Sequence, residues 1–267
     1  MANPIKIKRS NIAGIVPTIL VDGEIAINQA DKKLFYRDIS GVVQSFKLVN
    51  DGLSENNVIL FTDFINVGST TNLPFSGAAI NAGTTPTSNA QISPSTPGVL
   101  RLTSSTTANS GYRWQTDITT IRIGGNEVFT CYINPQNFAT TTMRAGFHDA
   151  TTSADAVDGL YFEYSTSGVL QLKSSSNSIR SLSGVIATLA LNTWYKLEIV
   201  VNANATLVTG NIYGVGGGLV GTGSVNTNIP TVLGREVGAG IIATNSGIVA
   251  TGMVDIDYLK VILKPNR

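Results

Sequence analysis

Four carboxylates stand on strand-like segments of this chain. They are Glu163 in Gly159-Leu160-Tyr161-Phe162-Glu163-Tyr164, Glu198 in Tyr195-Lys196-Leu197-Glu198-Ile199, and Asp255 and Asp257 in Val254-Asp255-Ile256-Asp257-Tyr258. Glycoside cleavage needs two carboxyl groups, one acid and one base or nucleophile. Asp255 and Asp257, two residues apart, share one face of a strand, and Glu163 and Glu198 can converge with them from other strands. The polar face of a β-sandwich accounts for all four equally well, and the expectation is a chain that is not an enzyme. His148, the one histidine, has no serine in a nucleophile-elbow setting to activate and reads as a polar residue at a strand end beside a loop. Asp149, Asp155 and Asp158 offer the oxygens that hard cations take, but their spacing matches no defined calcium loop. No metal and no other cofactor is expected.

Aromatic side chains are the other chemistry on view, because sugar rings have apolar faces that stack on them. Tyr112 and Trp114 share a face, with Arg113 opposite and loop-rich sequence beside them, and these three are the first choice for a ligand platform. Trp194 opens a strand and is expected in the core. Tyr161 lies on one face of its strand and Phe162 and Tyr164 on the other, so one face turns inward and the other is a candidate binding or interface surface. Gly214-Val215-Gly216-Gly217-Gly218 lacks the helix and the Lys-Ser/Thr ending of a phosphate loop and reads as a turn.

The elements that must position these residues are strands. Leu191 to Gly214 is the organising stretch: Tyr195, Leu197, Ile199 and Val201 alternate with Lys196, Glu198, Val200 and Asn202, and Trp194 shares the second face. That is the period of a half-buried strand. Asn202-Ala203-Asn204-Ala205 supplies turn chemistry, since Asn tolerates left-handed backbone angles, and the chain returns through Thr206 to Tyr213. Further strands are expected at 118–123, 128–134, 143–148, 159–165, 169–173, 178–182 and 254–263. Cys131, inside the second of these, reads as a buried core residue. Many short strands with no convincing amphipathic helix argue for a two-sheet sandwich, with Leu197, Ile199 and Val201 in its core. A separate module occupies residues 1–50, with short strands around Ile5–Lys8, Glu24–Asn28, Lys33–Arg37 and Val42–Leu48. Its apolar residues, Ile25, Ile27, Leu34, Phe35 and Val43 among them, are too many for so small a meander to hide. They mark it for assembly. Residues 51–57 are polar and read as a linker to a domain at 58–267.

The composition narrows the function classes. Hydrophobic residues make up 42% of the 267 and charged residues only 13%, which suits a β-rich protein of a particle or an extracellular space more than a helical cytosolic enzyme. A net charge of +1 gives no field to recruit nucleic acid or an anionic membrane, and no segment is long and apolar enough to span a bilayer. The N-terminus lacks the apolar run of a signal peptide, so a place outside the cell would be reached by lysis or within a particle. One cysteine excludes an intrachain disulfide.

Two resemblances sharpen this. Ile5-Lys6-Ile7-Lys8-Arg9-Ser10, Gly14, Pro17, Asp22-Gly23-Glu24-Ile25-Ala26-Ile27-Asn28, Asp31, Lys33-Leu34-Phe35-Tyr36 and Asp38…Gly41 resemble the N-terminal attachment module of bacteriophage fibre and appendage proteins. Asp63-Phe64, Pro97–Leu102, Ala145–Asp149, Asp158–Tyr164, Trp194–Asn202, Asn228-Ile229-Pro230 and Asp255–Tyr258 are together similar to the concanavalin A-like (lectin/glucanase) jelly rolls of phage fibre and tail proteins. The Glu-x-Asp-x-Glu signature of the glucanase branch and a lectin metal loop are both missing, which sets the fold apart from either chemistry. The resemblances imply an all-β chain, a small meander followed by an antiparallel jelly-roll sandwich. They imply a structural virion protein, a tail or neck appendage touching host surface glycans. Its first 50 residues would contact other virion proteins or form a homotrimer. A capsid decoration protein is the alternative, and a glycan depolymerase a lesser one.

Overall fold

The structure, a computed structural model, describes residues 7–21, 24–47, 58–62, 71–72, 75–80, 89–91, 98–137, 140–246 and 251–264. By backbone contacts the chain divides into two compact units, Met1–Asn56 and Asn57–Arg267. The linker expected at 51–57, and the start of the first strand at Ile5, lie outside the described residues.

The first unit is a four-stranded sheet in the order of the chain: β1 (Lys8–Ser10), β2 (Ile25–Asn28), β3 (Lys33–Arg37) and β4 (Val43–Lys47). β1 runs parallel to β2, and the other pairs are antiparallel. Its fixed points are the polar residues of the resemblance. The Asn28 carboxamide donates to the carbonyls of Ile12 and Ile15 and to Asp31, Gly14 N–H donates to Asp31 at 2.7 Å, and Lys8 pairs with Glu24. These bonds hold the 11–17 loop against the sheet. Among the described residues of this unit, Leu20, Ala26 and Phe35 form the buried cluster, with Val43 packed against it. Of the five residues marked for assembly, Phe35 is hidden, Ile27, Leu34 and Val43 are half-buried and Ile25 is exposed.

The described residues of the second unit form sixteen strands. They are β5 (Val58–Thr62), β6 (Thr71–Asn72), β7 (Phe75–Ile80), β8 (Asn89–Gln91), β9 (Leu100–Thr103), β10 (Gly111–Gln115), β11 (Val128–Pro135) and β12 (Thr141–His148). β13 (Gly159–Tyr164), β14 (Val169–Ser176), β15 (Ile179–Thr188), β16 (Tyr195–Val201), β17 (Val208–Tyr213), β18 (Leu219–Val225), β19 (Gly238–Asn245) and β20 (Met253–Leu263) follow. One sheet has the order β15-β14-β13-β12-β19-β10-β7-β6 and the other β18-β17-β16-β11-β20-β9-β8, with β5 also on β20. Every pairing in the unit is antiparallel, and no helix occurs among the described residues. The inner faces meet in one core in which Leu197, Ile199 and Val201 are buried, with Trp114, Phe147 and Phe162 from the opposite sheet. Phe129 and Phe147 touch edge-on across the gap, at 5.9 Å. Burying apolar side chains at about 25 cal/mol per Å² is the main force holding such sheets together.

The hairpin of β16 and β17 forms as the alternation requires, but its turn works differently from expectation. The left-handed residue is Ala205, at φ 51°. Asn202 contributes a side-chain oxygen that accepts from Thr206 and Leu207 N–H at 2.8 and 3.1 Å. Segment 118–123 is no strand: Ile121 makes a single bridge to Val237. β18 and β19 were not anticipated, and β19 lies in the middle of its sheet, buried along its whole length.

Candidate functional site

Alternation sends every second residue of β11 and β16 away from the core. Cys131, Ile133, Leu197 and Ile199 point inward, so Thr130, Tyr132, Lys196 and Glu198 point out. β20 completes this face through a bulge. Cys131 pairs with Leu259 but Ile133 pairs with Ile256, so Asp257 and Tyr258 together oppose Tyr132. An extra residue re-aims side chains and increases twist. Here both Asp257 and Tyr258 leave the core between buried Ile256 and Leu259. The other edge of β20 changes partner at the same point, from β9 through Ile256 to β5 from Leu259.

The face that results is aromatic and polar. A cleft of ≈ 450 Å³ is lined by Tyr132, Trp194, Lys196, Tyr213, Asp257 and the turn Gly214–Gly217. It shares Tyr132, Lys196 and Asp257 with a second hollow of ≈ 720 Å³, bounded by Phe61, Glu198, Tyr258 and Lys260. Tyr132 is 38% exposed and Phe61 50%, and the rings form a chain: Phe61 to Tyr258 at 5.0 Å, Tyr258 to Tyr132 at 6.0 Å. Lys196 Nζ sits 4.0 Å over the Tyr213 ring, a cation–π contact. Glu198 accepts from the Tyr213 hydroxyl at 3.1 Å and from Asn211 and Lys196 at 3.4 Å. Desolvation first, and then the hydrogen bond to Glu198, raise the Tyr213 phenol, so it stays a donor. Gly216 and Gly217 take φ of 89° and 84°, and Gly217 N–H donates to Gly214 O. The glycine run is a turn, as read from the sequence.

The other outer face is closed. Arg144 and Lys173 both pair with Glu163 and Asp155, and Arg180 adds a third cation to Asp155. Tyr161 donates to Asp155 at 2.6 Å and packs with Ala150 and Ala156 under the 149–158 loop. The face of β13 that carries Tyr161 is therefore covered, while Phe162 and Tyr164 point into the core. Asp158 binds Arg235 and Asn177 N–H, and Asp149 accepts from Val157 N–H. The three acidic side chains are thus engaged separately, and no group of three or more His, Cys, Asp or Glu gathers among the described residues. His148 is fully buried, edge-on to Tyr161 at 6.0 Å. Burial above all, with the nearby Arg144 charge, lowers its pKa to about 3. Burial also pushes the Cys131 thiol up, which keeps it inert.

Tyr112 and Trp114 are 5% and 0% exposed and belong to the core, so neither presents a ring to solvent, and Arg113 stands alone on the outer face. Both rings fold over Gly77, where a Cβ would come within 2.8 Å of them. Trp194, expected in the core, is half-buried and lines the cleft. Glu163 lies on one sheet and Glu198, Asp255 and Asp257 on the other, so the four carboxylates do not converge. Asp255 is held by Arg101 through two bonds of 2.6 and 2.8 Å. Tyr132, Tyr213, Tyr258 and Phe61 were missed. Tyr132 was legible, because an inward Cys131 forces its neighbour outward.

An all-antiparallel two-sheet sandwich with this topology is a concanavalin A-like jelly roll. The chain belongs to the family described as SO2946-like, C-terminal domain, whose model matches residues 95–257. It is similar to the crystal structure of SO2946, a protein of unknown function from Shewanella oneidensis MR-1, at 15% identity and a TM-score of 0.63, covering 79% of this chain and 89% of that one. The seed lectin of Lotus tetragonolobus is similar at 9% identity and 0.53, over 79% and 100% of the two chains. The CBM2 module of the evolved Dit of Lactobacillus casei BL23 phage J-1 is similar at 12% and 0.51, over 79% and 98%. These likenesses establish the fold. No curated protein matches the chain.

Proposed function

We propose that this chain is a non-enzymatic appendage protein of a bacteriophage particle, exposed on the virion, whose sandwich binds host surface glycans. The observation that carries the reading is the row of rings on one outer face, with Tyr132 of β11 and Phe61 of β5 exposed and Trp194, Tyr213 and Tyr258 half-buried beside them, interleaved with Lys196, Glu198 and Asp257. Apolar ring faces for stacking and fixed polar groups for hydroxyls are what recognition of a sugar requires. The likeness to a phage Dit module supports a place on a particle, as does the attachment-like pattern of residues 5–41. The exposed apolar residues of the first unit support attachment to other virion proteins or self-assembly. The experiment is a glycan array on the full chain and on Tyr132→Ala and Trp194→Ala. Binding by the parent that either variant loses supports the reading, and an array with no signal refutes it in favour of a purely structural decoration protein.

Glu198 and Asp257 line one groove, which is where a depolymerase reading would begin. Glu198 already holds three internal donors, and we assign the pair to binding. Reducing-sugar release from host capsule should be absent in the parent. A measurable release that Glu198→Gln or Asp257→Asn abolished would make the chain an enzyme.

A further inference from the structure

We infer that the groove on β17, β16, β11, β20 and β5 takes an internal stretch of an uncharged polysaccharide, laid across the strands and running out at both ends. The inference rests on the glycan-binding reading above and names the ligand class of that site. Register is its first support. Tyr213 pairs with Lys196, Lys196 pairs with Tyr132, Tyr132 faces the bulge carrying Tyr258, and Phe61 on the next strand touches the Tyr258 ring. Neighbouring strands lie about 4.8 Å apart, so five in a row set the rings along roughly 19 Å. That is the length of a short oligosaccharide, where a single terminal sugar needs only a pit.

The ends are open. At one end stand the Gly214–Gly218 turn, where a Cβ added at Gly216, Gly217 or Gly218 would meet no atom within 4 Å, and β18, whose Leu219 pairs with Tyr213 and is exposed. At the other end Phe61 is half exposed. Among the described residues, neither end holds a group that would recognise a chain terminus. Charge is the third support. Lys196 and Lys260 face Glu198 and Asp257, two of each sign, and Lys196 is already paired with Glu198. A uniformly sulfated or uronate-rich chain would set its charge against the two carboxylates, whereas hydroxyls can donate to the carboxylates and accept from the lysines.

The test is affinity electrophoresis of the full chain through gels containing xylan, glucomannan, dextran or, as the anionic probe, dextran sulfate, with free monosaccharides as competitors. Retardation by at least one uncharged polymer, with no competition from its monosaccharide, is the expected result. Phe61→Ala and Tyr213→Ala, at opposite ends, should each weaken that retardation severalfold, and Tyr132→Ala in the middle by about tenfold, as a buried-on-binding ring does. Circular dichroism of each variant separates loss of binding from loss of fold. Full competition by a monosaccharide, binding to dextran sulfate alone, or insensitivity to both end variants would overturn the extended site while leaving glycan binding in place. Failure to bind any of these polymers overturns the inference, and the glycan array then decides whether the broader reading falls with it.

Discussion

At the scale of single residues, the molecule keeps its two tryptophans for different tasks. Trp114 fills the core and Trp194 lines the outer cleft. Trp114→Ala should cost roughly 3–5 kcal/mol of stability, as large core truncations do, measured by urea unfolding. Trp194→Ala should cost about 1 kcal/mol or less, in the range of surface changes, while removing the proposed glycan binding. His148 makes a second residue-scale case. It is buried and neutral, with a folded pKa of about 3 against 6.5 when exposed. The unfolded chain therefore takes up a proton that the folded one refuses. Its stabilising contribution is complete above pH 6.5 and drains away as pH falls toward 3, by up to about 1.4 kcal/mol per pH unit. Asp149, raised by burial, works in the opposite sense, and Asp155, held low against its own burial by the Tyr161 hydrogen bond and then by its cations, loses its contribution only in stronger acid. Urea midpoints between pH 7.5 and 5 should fall for the parent and stay flatter for His148→Gln. Equal slopes would remove His148 from the acid response.

At the scale of elements, legibility followed the hydrophobic period. Leu197, Ile199 and Val201 alternate with Lys196, Glu198 and Val200, a mostly polar face, and their strand was plain from the sequence and is where it was expected. β19, Gly-Ala-Gly-Ile-Ile-Ala-Thr-Asn, is buried on both faces and carries no alternation, and glycine and alanine hide its strand character. Alternation also separates the faces of Tyr112-Arg113-Trp114 without saying which one is inside. Membership in the core depends on strands far away in sequence. The bulge in β20 is a matter of register between partners more than a hundred residues apart, which no local pattern shows. It also yields an element-scale expectation. Deleting Asp257 would place Tyr258 opposite Tyr132 in a regular ladder and leave Ile256 and Leu259 on their present partners. The fold should survive with a thermal midpoint lowered by only a few degrees, while glycan binding is lost with the carboxylate and the local twist. A chain that fails to fold would show that the bulge serves the sandwich and not the groove.

At the scale of the whole molecule, the two units differ in self-sufficiency. The sandwich has a continuous core, whereas the described residues of the first unit bury three apolar side chains in theirs and leave Ile12, Ile19, Ile39, Val42 and Phe46 more than half exposed. A sheet with so little core needs a partner for its apolar face. We propose a homotrimer formed through residues 1–50. Light scattering should give a trimer for the full chain and a monomer for a chain lacking those residues. A trimeric truncation would move the contact to the sandwich, and a monomeric full chain would leave docking onto another virion protein.

The order in which the sandwich is synthesised has its own consequence. β19 lies between β12 and β10 in one sheet, and β20 between β11 and β9 in the other. Residues 238–263 thus supply an interior strand to each sheet after nearly all their neighbours have left the ribosome. Until then β10, β11 and β12 each present a bare edge toward an empty lane, and pairings of this sequence separation close slowly. A sandwich still lacking these two strands would be an open pair of sheets, with edges on which chaperones or other chains can pair. On a crowded polysome making many copies, the interval before the last strands arrive is when this protein is most at risk of aggregation.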